Sequence, residues 1–168
     1  AKEYAIQFFK NVRVVKLERD DPRELRDRYD RYLAYVFVEI DGKWVNYNVE
    51  CVRAGMSPYF NKYGNSKRFH AEFVAAQEEA RAAKRGIWAD TGEHYGDYDL
   101  RLRWWQGRAE FVEQFNREAQ GRSDFLVLNH WDAGLALSDR IGQEVEVIGT
   151  IGAIYDSDRG GPTRVMLG

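Results

Sequence analysis

Apolar positions change their spacing along the chain, and each change predicts a different element. The opening nine residues have helical spacing, whereas the run from Val12 to Leu17 and the stretch 33–40 are rich in β-branched and aromatic residues, which favours strands. Asp41 and Gly42 follow the second run directly, and this dipeptide is typical of a two-residue turn between antiparallel strands. The first part of the chain therefore predicts a short helix, a strand and a β-hairpin.

Helical spacing returns in the middle of the chain. Residues 45–54 predict a short helix that ends at Gly55, since glycine suits the left-handed end of a helix. Ser66 is a suitable N-cap for a longer amphipathic helix that stops near Gly86. Its apolar stripe, at alternating spacings of four and three, consists of Phe69, Phe73, Ala76, Ala80 and Ala83.

A change in composition predicts a domain boundary. Residues 91–99 are rich in Gly, Asp, Tyr and His without periodicity, which indicates a linker between a first domain, 1–90, and a second α+β unit, 100–168. The second unit ends in a strand, a turn and a strand, and this order resembles the first part of a small OB-like barrel. Its predicted elements are a helix over 100–119, a strand over 125–128, a helix over 131–141, a strand over 145–154 and a strand over 163–167.

Composition and charge limit the possible functions. No apolar run approaches the roughly 18 residues of a membrane span, which argues against a membrane protein. The 25 basic and 27 acidic side chains give a net charge of -2, so any phosphate site must be local. A single cysteine, Cys51, excludes an internal disulfide framework, leaves the compartment open and is predicted to be a core residue.

Side chains that could bind metal or stack on bases are scattered along the chain. The three histidines have no ligand spacing, so we predict surface or loop positions for His70, His94 and His130. Trp104 and Trp105 are predicted to be core residues of a helix, with stacking on single-stranded bases as the alternative. The loop acids are predicted to be solvated charges; they are Asp20, Asp21 and Glu24.

Four blocks, 27–35, 41–46, 52–56 and 82–88, resemble the staphylococcal nuclease family in order and spacing. The resemblance covers about residues 1–90 and corresponds to the later half of the family domain. It implies an α+β fold, namely part of a five-stranded OB-type barrel with packed helices. It also implies Ca²⁺-dependent hydrolysis of phosphodiester bonds in DNA and RNA, with nucleic acid as the partner. A secreted or extracytoplasmic location is what the resemblance implies for the compartment.

The resemblance assigns roles to three residues. One of the family's two phosphate-clamping arginines falls on Arg31, and substrate-contacting tyrosines fall on Tyr29 and Tyr63. Asn61 replaces a second such tyrosine, so contacts to base or sugar are only partly kept. Asp30 replaces a usual glycine, and its carboxylate is expected to pair with Arg31 and to repel phosphate. A surface arginine that merely pairs with Asp27 or Asp30 is the alternative for Arg31.

In the family, the metal carboxylates, the other arginine and the assisting glutamate lie before the helix with which this sequence opens. We therefore assign no metal ligand in this chain, interpret it as a fragment, and expect it to be inactive by itself. An open barrel of this kind is expected to be completed by its missing half, by a homo-oligomer or by strand exchange. A non-catalytic scaffold that binds nucleic acid or protein is the alternative function.

Overall fold

The computed structural model describes residues 1–21, 26–27, 29–91, 95–128, 132–156 and 161–167. Contacts divide it into two compact units, Ala1–Arg23 with Ala34–Glu113 and Glu24–Leu33 with Gln114–Gly168. Across the described residues, no helix is both long and apolar enough to cross a bilayer. The elements are α1 (Lys2–Phe8), β1 (Val15–Glu18), β2 (Tyr35–Ile40), β3 (Lys43–Asn46), α2 (Tyr47–Arg53), α3 (His70–Ala82), a 3₁₀ turn (Gly86–Trp88), α4 (Tyr98–Glu118), β4 (Phe125–Val127), α5 (Ala133–Ser138), β5 (Glu146–Ile148), β6 (Ile151–Tyr155) and β7 (Arg164–Leu167).

The first unit contains an antiparallel sheet in the order β1-β2-β3. The β2–β3 turn is the predicted Asp41-Gly42 dipeptide, whose φ angles of 50° and 76° are those of a hairpin turn that matches the strand twist. Val38, at the centre of the sheet, is almost completely buried. The predicted hairpin is therefore confirmed, and one face of the sheet supports the core.

Helix α2 begins and ends with side-chain and backbone caps. The Asn46 side-chain oxygen accepts hydrogen bonds from the backbone N–H groups of Asn48 at 3.0 Å and Val49 at 3.4 Å. At the other end Gly55 has a φ of 70°, and the N–H of Met56 donates to the carbonyl of Cys51 at 2.8 Å. The sequence prediction that Gly55 ends this helix is confirmed.

Replacement of Asn46 by alanine is expected to lower the free energy of unfolding by about 1 kcal/mol, because two N–H groups lose their acceptor. Chemical denaturation would measure this change. Asn46→Asp keeps a side-chain acceptor and should restore most of the stability. Equal stability of the alanine variant and the unsubstituted protein would show that the cap contributes nothing.

The side chain of Ser66 binds the backbone just before helix α3, which begins at His70. The Ser66 Oγ accepts from the N–H of Phe69 at 2.9 Å and from the hydroxyl of Tyr35 at 2.7 Å. The helix ends differently from the prediction: Lys84 adopts the left-handed conformation, with a φ of 50°, in place of Gly86. The N–H groups of Lys84 and Arg85 close this end on the carbonyls of Arg81 and Ala80, at 3.1 and 2.9 Å.

Gly86 instead packs on Gly55, which ends the other helix. A Cβ on Gly55 would lie 2.1 Å from the carbonyl oxygen of Arg85, and one on Gly86 would lie 2.1 Å from the carbonyl oxygen of Gly55. The N–H of Ile87 donates to that same Gly55 oxygen at 2.9 Å. The two backbones therefore approach to a distance that admits no side chain.

Aromatic rings fill the core between α2 and α3. Tyr59 and Phe73 stack with centroids 4.7 Å apart, and Tyr35 and Phe69 contact the cluster from its edge. Helix α1 packs on Tyr47 at the start of α2, through ring contacts at 4.6–6.3 Å. The rings that reach Tyr47 from this opening helix and its end are Tyr4, Phe8 and Phe9.

The second unit contains two small sheets. Strands β4 and β5 pair in parallel, whereas β6 and β7 form an antiparallel pair. The strand expected over 145–154 is divided into two, since Gly149 and Thr150 lie outside the strands. The α+β class is confirmed. No closed barrel forms among the described residues, so an OB-like second unit and the domain limits at 90 and 100 remain predictions.

Candidate functional site

A tight turn over residues 26–32 carries two of the residues assigned from sequence. Arg26 and Tyr32 form an isolated antiparallel bridge, and the Asp27 N–H donates to the carbonyl of Arg31 at 2.9 Å. The Asp27 Oδ1 accepts from the N–H groups of Tyr29 and Arg31 at 2.9 and 3.0 Å. One carboxylate thus folds the turn locally, in the manner of an Asx-turn.

The same carboxylate holds the side chain of Arg31. The Arg31 Nε donates to the Asp27 Oδ2 at 2.7 Å, and Nη2 lies 2.5 Å from this oxygen. The hydrogen bond from Arg31 keeps the pKa of Asp27 below its ordinary value, so the pair stays charged near neutral pH. The guanidinium is nevertheless 73% exposed and has five N–H donors, so it retains the capacity to bind an anion.

Tyr29 lies beneath this guanidinium. The ring centre is 5.2 Å from the guanidinium carbon of Arg31, and the ring is largely exposed. The turn therefore brings together Arg31 and Tyr29, as the sequence assignment requires. Asp27, one of the two aspartates named above as possible partners of Arg31, fixes both residues; an aspartate whose carboxylate accepts from the N–H two residues later is the sequence signal for such a turn.

Asp30 does not pair with Arg31, so that expectation is wrong. Asp30 has a φ of 63°, a left-handed conformation that aspartate adopts more readily than most residues other than glycine. Its carboxylate accepts a hydrogen bond from the Nη1 of Arg26. Arg26 also donates to the hydroxyl of Tyr32 at 2.6 Å and lies 4.2 Å from the centre of that ring. The second carboxylate of the turn is therefore neutralised by a different arginine.

Tyr63, the third assigned residue, lies in the other unit, within an aromatic patch made of Phe60, Lys62, Tyr63 and Trp104. The Lys62 Nζ is 5.3 Å from the centre of the Tyr63 ring and 5.0 Å from that of Trp104. Phe60 contacts Tyr63 edge to face with centroids 5.9 Å apart. The rings of this patch are about half exposed.

The prediction that both tryptophans are core residues is correct for Trp105 and wrong for Trp104. Trp105 is 9% exposed and meets Phe60 at 4.8 Å, whereas Trp104 is 53% exposed. Adjacent helical positions point about 100° apart, so only one of the pair can face the core. Sequence reasoning missed Lys62, because its neighbour Trp104 is 42 positions away in the chain.

Asn61 faces inward, unlike its neighbours in the patch. It is 5% exposed, and its side-chain nitrogen donates to Asn65 at 2.9 Å and to Gln106 at 3.1 Å. It is thus a structural residue between the loop and α4. It does not supply the substrate contact of the tyrosine that the family has at this position.

The described residues do not fit a calcium site. No group of three or more His, Cys, Asp or Glu side chains among them is arranged to hold a metal ion. Asp20 is not a solvated charge, as was expected, but accepts from the N–H of Lys67 at 2.8 Å and from the Ser66 hydroxyl at 3.1 Å. Asp21 is buried and paired with the Lys67 ammonium. Glu24 lies outside the described residues.

The remaining chemistry-bearing residues have structural surroundings. The His70 Nδ1 is 3.2 Å from the hydroxyl of Tyr59, at the start of α3. Cys51 is half-buried, and burial raises the pKa of its thiol, which opposes a nucleophilic role. His94 and His130 lie outside the described residues.

Comparison with known proteins finds a matching family for the first part of the chain. The model of the family described as "Staphylococcal nuclease homologue" matches residues 1–90. An uncharacterized protein of Methanocaldococcus jannaschii is 31% identical over 88 residues, which are 52% of this chain and 41% of the relative. The matched segment thus spans less than half of that relative's length. The match ends before α4, which carries Trp104.

Proposed function

Because this chain belongs to the staphylococcal nuclease family, we propose that it is part of a Ca²⁺-dependent nuclease that hydrolyses phosphodiester bonds of DNA or RNA. Arg31 is the residue in this chain that holds the scissile phosphate, and Tyr29 supports it. The chain by itself is inactive in this proposal, since it supplies only part of the catalytic set.

The observation that carries the proposal is the geometry of Arg31. Its guanidinium is fixed by Asp27 and by the ring of Tyr29, yet remains largely exposed. A planar donor that is oriented before the substrate arrives can stabilise the charge that develops on a phosphoryl group. An arginine without such support would lose more conformational entropy when it binds.

In this proposal, calcium is not bound by the described residues of this chain. A hard cation of this kind needs several oxygen ligands, and no group of three or more carboxylate, His or Cys side chains among the described residues is arranged to provide them; Asp20, Asp21 and Asp27 are engaged with lysine, arginine and backbone N–H groups. In the family the ligands precede the opening helix. The residues of this chain would bind and orient phosphate, and a calcium ion held elsewhere in the domain would supply Lewis-acid polarisation of the phosphoryl group.

A second function, a non-catalytic scaffold that binds nucleic acid or protein, is favoured by one observation. Asp27 occupies two N–H groups of Arg31. The donors that remain suffice for contact with a backbone phosphate, but they are fewer than a free guanidinium would offer to a transition state. Such a module keeps the phosphate-binding arginine but has no metal carboxylates.

The sheet suggests how the first unit is completed. Among the described residues, β1 and β3 each have one neighbouring strand, and the apolar side chains of Val15 and Leu17 on β1 are exposed. We propose that further strands of the same protein, or of a second copy, pair along this edge. This would close the barrel that the family implies.

Cleavage of a fluorescent single-stranded DNA, measured with calcium and with EDTA in the protein that contains this chain, tests the proposal. We expect cleavage with calcium, none with EDTA, and none by residues 1–168 alone. Binding without cleavage by the folded protein would overturn the nuclease and support the scaffold. Cleavage in EDTA would contradict the calcium requirement.

A further inference from the structure

We infer that the aromatic patch (Phe60, Lys62, Tyr63 and Trp104) is a stacking site for single-stranded nucleic acid, built partly by a helix outside the segment that matches the family. The inference rests on the proposed function, which makes nucleic acid the ligand. It adds a binding surface that includes α4 to the phosphate contact proposed for Arg31.

The exposed rings are the first step of the argument. Phe60 and Trp104 present about half of their surface to solvent, although Trp105 and other aromatic residues of the same unit are buried. Single-stranded nucleic acid is bound by such rings because every base has a flat face that stacks on them. Trp104 offers the largest face of the patch.

The cation between the rings is the second step. The Lys62 ammonium lies about equally far from Tyr63 and Trp104, at 5.3 and 5.0 Å, and makes no ion pair among the described residues. A base stacked on either ring carries its phosphate next to it in the chain, within reach of this ammonium. Aromatic faces with an interleaved cation fit the alternating bases and phosphates of a strand.

A groove with both polar and apolar lining, in the same unit as the patch, is the third step. It has a volume of about 500 Å³ and is lined by side chains of the loop, α3 and α4. Its charged side chains include Arg103, which adjoins Trp104 in sequence, and Glu110. The guanidinium of Arg103 can donate to the edges of unstacked bases, which a purely apolar face cannot do.

Binding of fluorescein-labelled oligothymidylate, followed by anisotropy in EDTA with the protein that contains this chain, tests the inference. Trp104→Ala is expected to raise Kd about tenfold, the usual effect of removing one stacking ring. Trp104→Phe should keep most of the affinity, whereas Trp104→Leu should lose it. Lys62→Ala should weaken binding and lower the slope of log Kd against log salt by about one phosphate contact.

Trp44→Ala is the matched control, since Trp44 is also about half exposed and has the Lys16 ammonium 5.3 Å from its ring. It should leave Kd unchanged. Equal Kd for Trp104→Ala and the unsubstituted protein, or equal losses for the Phe and Leu variants, would overturn the inference. So would an absence of oligonucleotide binding by the folded protein, which would leave the patch to a protein partner.

The outcomes separate this inference from the proposed function. If the nuclease proposal fails, calcium gives no cleavage, but the Trp104 variants still weaken binding. If the stacking site fails, cleavage and its dependence on Arg31 persist while the Trp104 variants bind normally.

Discussion

Arg31→Ala is expected to lower phosphodiester cleavage by about 10²-fold or more in the protein that contains this chain, because removal of one positioned donor to a transition state has an effect of this size. The guanidinium is mostly exposed, so the fold should persist, and circular dichroism and the unfolding midpoint would verify this. The measurement is kcat/KM on a fluorescent single-stranded DNA with calcium. Arg31→Lys should recover only a small part, since an ammonium keeps the charge but loses the planar fork.

Arg101 provides the matched control. Its Nε donates to Asp97 at 2.8 Å and its guanidinium lies 4.6 Å from the centre of the Tyr95 ring, which repeats the surroundings of Arg31. Arg101→Ala should leave kcat/KM within about twofold. Equal rates for Arg31→Ala and Arg101→Ala would mean that Arg31 is an ordinary surface arginine.

Gly55→Ala is expected to lower the free energy of unfolding by about 3 kcal/mol or more. The added methyl carbon would lie 2.1 Å from a backbone oxygen of Arg85, at a φ of 70°, so two chain segments must separate. The hydrogen bond from Ile87 to the Gly55 carbonyl would be lost with them. Urea denaturation followed by tryptophan fluorescence would measure the change.

Gly42→Ala separates backbone strain from this clash. Gly42 has nearly the same φ, 76°, but a Cβ there would meet nothing within 4 Å. It should destabilise by only about 1 kcal/mol. If Gly55→Ala and Gly42→Ala prove equally destabilising, the close approach of the two backbones has no energetic role.

The features that sequence predicts well are those set by neighbours in the chain. The hairpin at Asp41-Gly42 and the end of α2 at Gly55 depend on local turn chemistry, and both are found. The α+β class and the family were predicted from four short sequence blocks, and both are confirmed. The turn that holds Arg31 is also local: of the two nearby aspartates that the sequence offered as partners, Asp27 pairs with Arg31, whereas Asp30 pairs with Arg26.

The features that sequence does not predict depend on distant contacts. Asp20 was expected to be solvated because its partners, at 66–68, lie more than 45 positions away. Gly86 is a residue type that commonly ends a helix, and only the fold shows that its missing side chain lets the backbone approach Gly55. The exposure of Trp104 depends on which side of α4 meets the loop, which periodicity alone does not decide when two large apolar residues are adjacent.

Two lysines mark the outer strands of the three-stranded sheet. Lys16 lies in β1 and Lys43 in β3, the strands that have a single neighbour among the described residues. Charged side chains on such strands oppose their indiscriminate addition to other sheets, because two like charges would be brought together. The apolar residues exposed on these strands therefore carry less risk of drawing the newly made protein into insoluble aggregates.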